Sequence, residues 1–356
     1  MNMYNAIVAG AGLWGCTLAR RLAESGKRVL LLERRPAVGG NVRCEIDKET
    51  GIEIHTYGSH IFHTNNEHVW EFVNRFARFN GYRHKVVSRH KGRLYHLPLG
   101  RTLYDEFFGE GKYILPLTDD QNSEIFDSFF ANYTAKQWGK PASEIDPLVF
   151  KRIPVRDNYD TSYFNDKYQG IPVDGYNSLV ENMVNHPCIH VRVDMPFTLD
   201  WMPQSVITVK CPVYYSGPLD ALFGFKHGAL PWRTLRFEFE KLNIGDYQGT
   251  AVVNYPDLDV PYTRIHEFKH YHPEWMQTEN TIIMREYSSP WGKGDEPYYP
   301  ISNAASEELQ MKYLSEVVGY NQRQKKFNLI TGGRLGGYKY YDMDKSIEAA
   351  LKVKIN

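Results

Sequence analysis

The sequence predicts an α/β fold: a doubly wound sheet domain built from both chain termini, with an inserted small helical domain and an antiparallel-sheet domain. Three observations predict it. The chain opens on a strand–glycine–helix–strand unit. It ends on a strand running into glycine and then a helix. Between them, residues 235–287 alternate in short strand-like pieces. A chain ordered this way can close one open sheet from its two ends and hang other domains off it.

Taken in order, "YNAIVAGAG" is a short strand running into glycine. Leu13, Cys16, Leu18 and Leu22 then recur at helical spacing, and the pattern stops at Gly26. "RVLLLERR" is nearly all apolar, as a parallel strand buried on both faces should be. Residues 82–98, "YRHKVVSRHKGRLYHLP", read as two strands around a Lys-Gly turn. "TLYDEFFG" and "SEIFDSFFANYTAKQWG" read as helices, residues 140–175 as loop, and "GYNSLVENMVNH" as a helix. "LRFEFEKL", "GTAVVNY", "YTRIHEFKHY" and "NTIIMREY" supply an antiparallel sheet. "SEELQMKYLSEVVG" is a helix, "NLITGGR" a strand into glycine, and "DKSIEAALKVKI" the last helix. The expected partition assigns residues 1–80, 175–218 and 305–356 to the doubly wound domain. It assigns 98–150 to the helical domain, and 81–97, 151–174 and 219–304 to the antiparallel-sheet domain.

Composition narrows the partners. The 356 residues balance 42 Lys and Arg against 42 Asp and Glu, so no general field draws nucleic acid or an anionic membrane. Any anion site must be local, and "FKRIPVRDNY" (150–159), with Lys151, Arg152 and Arg156 around Pro154, is a candidate. No segment reaches the eighteen or so apolar residues of a membrane span. "MNMYNAIVAGAGLWG" has no cationic leader and cleavage site, so no signal peptide is expected. Cys16, Cys44, Cys188 and Cys211 form no CxxC pair, and a reduced cytoplasmic protein is the simple expectation. The 25 tyrosines suit sugar and base recognition, although many belong to the core.

Gly10, Gly12 and Gly15 spell G-x-G-x-x-G between a strand and a helix, and Glu33 ends the second strand. The first glycine makes the turn and the second lets N–H groups approach a pyrophosphate at the helix end. Glu33 accepts from a ribose hydroxyl. After Glu33 come Arg34 and then a double glycine, Gly39 and Gly40, before Asn41. That pattern points to FAD and a Rossmann-like fold. "TGGRLGG" (331–337) leaves too little chain for a second dinucleotide unit. Asp342 instead can cap the final helix from Met343, whose N–H groups would face an anionic reduced flavin.

The stretches "YGSHIFHT" (57–64), "YTAKQWG" (133–139), "KRIPVR" (151–156), "YFNDKYQGIPVDGY" (163–176), "VPYTRI" (260–265), "GDEPYYP" (294–300) and "GGRLGGYKYYDM" (332–343) occur in this order. Together they resemble the bacterial UDP-galactopyranose mutase family over nearly the whole chain. The resemblance implies an FAD-dependent isomerase, cytoplasmic, that interconverts UDP-galactopyranose and UDP-galactofuranose. It implies a covalent adduct between reduced flavin N5 and the sugar, with no net redox change and an external reductant for the flavin.

Carried over by motif, Arg152 and Arg264 would grip the substrate diphosphate from two sides. Tyr133, Tyr163, Tyr299 and Tyr340 would donate hydroxyls to it. Phe129, Phe130 and Trp138 would line the uridine end, with Asn254, Glu286 and Asp342 close to substrate. Gly58, Ser59 and His60 would lie against the flavin with His63 nearby, and Arg334, Asp342 and Met343 at its ring. The physical reading agrees, because arginine's fork binds a diphosphate bidentately and stays charged. Each of these side chains also has an ordinary reading, as a surface cation or as core packing. His60 and His63 have H-x-x-H spacing, and His266, His270 and His272 cluster, but no cysteine or carboxylate set completes a metal site in the sequence. No metal is therefore expected.

The stretch between "LYHLPLGRTLYDEFFG" and "FDSFFANYTAKQWG" is shorter than the family's helical insertion, which leaves the dimer contact and the oligomeric state open. The sugar is open as well, since an N-acetylgalactosamine-linked nucleotide is a close alternative. From other classes, an amine-oxidase-type FAD oxidoreductase would share the first unit and the late glycine–helix without needing two diphosphate arginines. A catalytically silent nucleotide-sugar binder is the third reading.

Overall fold

The computed structural model describes residues 3–145, 155–200, 211–324 and 327–355. Five strands form a parallel sheet: β1 (Ala6–Ala9), β2 (Val29–Leu32), β9 (Ile189–Arg192), β10 (Cys211–Tyr215) and β16 (Phe327–Thr331), in the order β16-β10-β1-β2-β9. Alternate residues of these strands serve opposite faces. Ala6, Val8 and Leu31 pack with Leu18 and Leu22 of the helix Leu13–Glu24, Leu179 of the helix Gly175–Val184 and Ile347 of the helix Met343–Leu351. Ile7, Ala9, Leu30, Leu32 and Val213 pack on the other side with Tyr313 and Val317 of the helix Ala304–Arg323. Both faces are covered, which is why the strands read as continuous apolar runs.

The two chain ends meet as expected. The first helix packs on the last, and Arg21 Nη1 donates to the carbonyls of Ala350 and Val353 at 2.7 and 2.9 Å, closing the last helix's C-terminal end. That last helix stops at Leu351, sooner than its sequence pattern suggests. The sequence reading missed β9 and β10, although β10 sits between β1 and β16.

The second sheet has seven strands: β6 (Val86–His90), β7 (Arg93–Leu97), β11 (Trp232–Leu242), β12 (Val252–Asn254), β13 (Arg264–Glu267), β14 (Thr281–Pro290) and β15 (Tyr299–Pro300). They run in the order β15-β11-β14-β13-β12-β6-β7. Every pairing is antiparallel except β12 with β6, where the hairpin of residues 86–97 joins from a distant part of the chain. Lys91 and Gly92 turn that hairpin with φ of 48° and 80°, the left-handed geometry a two-residue turn needs. One face of the sheet holds Val252 and Met284 and joins the main core. The other holds Val87, Val253, Ile265 and Ile283 as a separate cluster.

The helical part comprises Arg101–Phe108 and a longer stretch, Asp119–Phe126 and Asn132–Trp138, joined through a π turn at Asp127–Ala131. Two short ladders complete the described sheets: β3 (Cys44–Ile46) with β4 (Glu53–His55), and β5 (Phe62–Thr64) with β8 (Tyr168–Gly170). Among the described residues no helix is long and apolar enough to cross a membrane.

Candidate active site

The C-terminal ends of β1, β2 and β10 open into a cleft of about 1170 Å³, counted to its solvent mouth. Gly10, Gly12, Glu33, Arg34, Gly40, Asn41, His60, Arg334, Asp342 and Met343 all line it. The glycines divide the work. Gly10 turns at φ 104°, and a Cβ there would stand 2.3 Å from Ser216 Oγ. A Cβ on Gly15 would lie 1.9 Å from the Gly10 carbonyl, so this position sets how closely the helix approaches its strand. A Cβ on Gly40 would come within 2.9 Å of Gly12 Cα, which puts the double glycine against the first loop. At Gly12 the added atom would meet nothing nearer than 4.0 Å, and that loop faces the open cleft.

Glu33 is buried, and its carboxylate accepts from the Ala11 N–H at 2.7 Å and the Arg35 N–H at 3.0 Å. Each oxygen keeps a lone pair for a ribose hydroxyl. Arg34 pairs with Glu296 at 2.6 Å, and Asn41 accepts from Arg35 at 2.9 Å. At the far end, Arg334 Nε donates to the Tyr341 carbonyl at 3.1 Å and Nη1 to the Tyr298 carbonyl at 3.3 Å.

Asp342 stands at the N-cap of the last helix, but its side chain makes no capping bond, contrary to the expectation. It lines the cleft, and the side chain of Asp344 turns to Thr64 Oγ1 at 3.0 Å and to the Lys345 N–H at 2.6 Å. The N–H groups of Met343 and Asp344 therefore have no side-chain cap and bear on the cleft with the helix's positive end.

Gly58 turns at φ 97° against Phe237, and Ser59 Oγ is buried without a hydrogen-bond partner among the described residues. The His60 N–H donates to His55 Nδ1 at 2.9 Å, while His60 Nδ1 is buried and unpartnered. Burial, then the charge of Arg334, pulls the His60 imidazole down to about 4, with Arg264 adding to the shift. His63 is not among the cleft-lining residues. It bonds Asp166 at 2.7 Å and stacks on Phe164.

A second wall is built from side chains across three strands. Register places Asn254 opposite Arg264, and Arg264 opposite Glu286, on the sheet face that turns toward the main core. Arg264 grips Glu286 through Nε at 3.0 Å and Nη2 at 2.8 Å to both oxygens. His266 Nε2 lies 3.2 Å from the same carboxylate, and Thr263 Oγ1 donates to it at 3.2 Å. Burial alone would raise the Glu286 pKa, but Arg264 and His266 hold it down to about 2. Glu286 is 1% exposed at its side chain against 27% for Arg264, so the carboxylate lies beneath the arginine. Asn254 Oδ1 and His266 Nδ1 are buried without partners among the described residues.

Tyr133, Tyr163 and Tyr299 converge on Arg264. Burial raises the pKa of each phenol, and the arginine's charge opposes the rise in all three. Tyr340 stacks on Tyr299 at 5.8 Å between ring centroids. Trp138 ends its helix half-buried, before Gly139 at φ 68°. Phe129 is a correction. At 2% exposure it packs among Tyr95, Phe107 and His90, so it is core of the helical part and not a pocket lining. Phe130 beside it is also buried. Arg152 lies outside the described residues. Arg156 bonds Asn165 at 2.6 Å and its own N–H reaches the Leu99 carbonyl at 2.8 Å, a structural anchor.

His84 and Lys136 stand out only in the structure, and His266, weighed by spacing as a metal ligand, takes another role there. His84 is buried beside Tyr163, and burial with the charge of Arg264 brings its pKa to about 3. His266 supports Glu286. Lys136 lies within the quoted motif "YTAKQWG", yet nothing in the motif marked it. Among the described residues Cys44, Glu53 and His55 also bring three ligand-type atoms within 4.8 Å of one another, all buried.

A glycine cradle with an acid and an uncapped helix end, facing an arginine wall ringed by phenols, is the arrangement of an enzyme that holds a dinucleotide cofactor beside an anionic substrate. The comparisons agree. Residues 128–340, more than half of the chain, match the family model for UDP-galactopyranose mutase, and residues 8–76 match an NAD(P)-binding Rossmann-like domain. The chain belongs to the UDP-galactopyranose mutase family, and its cofactor is FAD.

A Klebsiella pneumoniae protein named "Probable UDP-galactopyranose mutase" is 39% identical, covering 99% of this chain and 94% of its own. An Escherichia coli dTDP-fucopyranose mutase is 34% identical over 98% and 97%. The fold is shared with a crystal structure of reduced UDP-galactopyranose mutase, at a TM-score of 0.72 and 15% identity over 99% of this chain and 93% of that one.

Proposed function

We propose that this enzyme interconverts UDP-galactopyranose and UDP-galactofuranose. The observation that carries the reading is the seating of Arg264 on the buried Glu286 carboxylate, with Tyr133, Tyr163 and Tyr299 around it, in a chain whose residues 128–340 match the UDP-galactopyranose mutase family. Gly10, Gly12, Glu33 and the end of the last helix would hold FAD, which when bound and reduced would supply a nucleophilic nitrogen with no net redox change.

The chain's own residues have distinct tasks. The N–H groups around Gly12 and the positive end of the last helix hold negative charge on the cofactor. Arg264, aimed by Glu286, binds the substrate diphosphate and keeps UDP in place while the glycosidic bond is broken. Tyr133, Tyr163, Tyr299 and Tyr340 add neutral donors, and Trp138 and Phe130 border the base. By motif, Arg152 is the opposing cation. His60, uncharged at neutral pH, offers a hydrogen-bonding ring without repelling Arg334. The helices between Arg101 and Trp138 and the antiparallel sheet together enclose the substrate against water.

The four described cysteines are unpaired, which supports a reducing cytoplasmic setting. An external reductant must keep the flavin reduced.

The test is to incubate the purified yellow protein with UDP-galactofuranose, with and without dithionite, and to chromatograph the products. Pyranose formed only under reduction supports the reading. No conversion under reduction, or oxygen consumption at a substrate amine, overturns it. The 34% identity to a dTDP-fucopyranose mutase favours one second reading, a dTDP-linked sugar, so a dTDP-fucofuranose arm belongs in the same assay.

A further inference from the structure

The turn 255–262, followed by Thr263, joins Asn254 of β12 to Arg264 of β13, and it contains Pro256 and Pro261. Two prolines remove two N–H donors, so the turn has more carbonyls than it can pair internally. Lys136 fills that deficit. Its Nζ donates to the carbonyls of Asp257 at 2.9 Å, Val260 at 3.0 Å and Tyr262 at 3.0 Å, and to that of Tyr255 as well. No carboxylate pairs with this ammonium among the described residues; backbone carbonyls surround it instead. Burial pulls its pKa down to about 8, opposed by Asp257 and Asp259. The carbonyl bonds favour the charged form further.

The helix that carries Lys136 is itself fastened to the sheet. Arg233, 3% exposed, donates from Nε to the Gln137 carbonyl at 2.9 Å, and Ser288 Oγ donates to that carbonyl at 2.6 Å. The turn has its own second anchor, since Asp257 accepts from the Lys91 N–H at 2.7 Å and lies 2.5 Å from His90 Nδ1. Lys136 thus ties the helix with Tyr133 and Trp138, which is already fastened to β11 and β14, directly to the turn between Asn254 and Arg264.

We propose that Lys136 is a positioning residue for substrate binding, which sets Arg264 against Tyr133 by holding the 255–262 turn through four backbone carbonyls. The inference rests on the functional reading above. Among the described residues Lys136 Nζ bonds neither Arg264 nor a cleft-lining residue, and its bonds run to the turn.

The experiment measures UDP affinity by calorimetry on FAD-loaded wild type, K136M, R264A and the K136M/R264A double variant, with FAD content and circular dichroism recorded for each. Methionine keeps the length and apolar stem of lysine and removes the ammonium. K136M is expected to keep its FAD and its fold while binding UDP at least tenfold more weakly. In the R264A background the same change is expected to add less than twofold, because the lysine acts through that arginine.

Wild-type affinity in K136M overturns the proposal, and so does a tenfold loss that persists undiminished in R264A, or a loss of FAD. Should K136M fail to fold, K136R carries the test. Its broad fork keeps the charge but cannot enter a cage built for a point ammonium. At least threefold weaker binding, again suppressed in R264A, supports the proposal, and wild-type affinity overturns it. A wild type that binds no UDP overturns the functional reading and this inference with it; a wild type that binds while K136M matches it overturns this inference alone.

Discussion

The cofactor cradle and the substrate wall hold charged ligands by opposite means. The cradle is mostly backbone: glycines that admit close approach, N–H groups at helix ends, and one acid, Glu33, tied to the loop it serves. The wall is mostly side chain: an arginine seated on a buried carboxylate, with phenols brought in from three other segments. A resident cofactor suits rigid backbone, which loses little entropy on binding. A substrate whose leaving group must depart and return suits long side chains that can be moved by the elements beneath them.

The largest expected effect is on the backbone side. Gly15→Val places a branched carbon where 1.9 Å separates an added Cβ from the Gly10 carbonyl, and no rotamer relieves that. The variant should purify colourless or insoluble. A yellow, soluble protein would break the claim that the cradle is set by backbone approach.

Next comes Arg264→Ala. It leaves Glu286 buried without its main partner, at a cost of about 2–5 kcal/mol to substrate binding and turnover. The protein should stay yellow, because Arg264 is not among the residues that line the cofactor cleft. Loss of flavin from this variant, measured by absorbance, would show that the two walls are not separable.

Acid pH sharpens the contrast from another side. His60 and His84 have folded pKa values of about 4 and about 3, below the ordinary 6.5. The unfolded chain therefore takes up their protons first, and stability should decline as pH falls from about 6.5 toward 4. The Glu286 pair acts lower. Its stabilisation is full above about 4.5 and is lost as pH falls toward 2. Urea midpoints at pH 7, 5.5 and 4.5 should fall in that order, and His84→Gln should flatten the trend. A flat wild-type profile would contradict the buried neutral imidazoles.

The smallest effect is a control remote from both walls. Asn303 caps the helix Ala304–Arg323 through the Ser306 N–H at 2.9 Å, so Asn303→Ala should cost about 1 kcal/mol of stability. FAD content and UDP affinity should stay unchanged. A shift in either would mean that general loosening mimics the specific losses above.

The two walls also differ in how far they could be read in advance. Gly10, Gly12, Gly15 and Glu33 lie within two dozen residues, and their spacing between a strand and a helix is visible in that short window. Arg264 and Glu286 come by motif, with a diphosphate role for Arg264, but the seating of the arginine on the buried carboxylate does not, because it depends on the register in which β13 and β14 pair. Phe129 was expected in the pocket and is core, since the π turn at Asp127–Ala131 directs it among Tyr95 and Phe107. Asp342 reached its N-cap position without making the capping bond.

By itself the sequence determined the class of fold, the FAD cradle and the family. These rest on local signals: a glycine's missing Cβ, an apolar run, a helix that starts where its strand ends. Only the tertiary structure decided that β10 lies between β1 and β16, that three strands align Asn254, Arg264 and Glu286, and that Lys136 closes around a turn more than a hundred residues away. Those arrangements depend on pairing and packing between distant segments. Their free energy comes from burial and hydrogen bonding in the assembled fold, which no short window of residues carries.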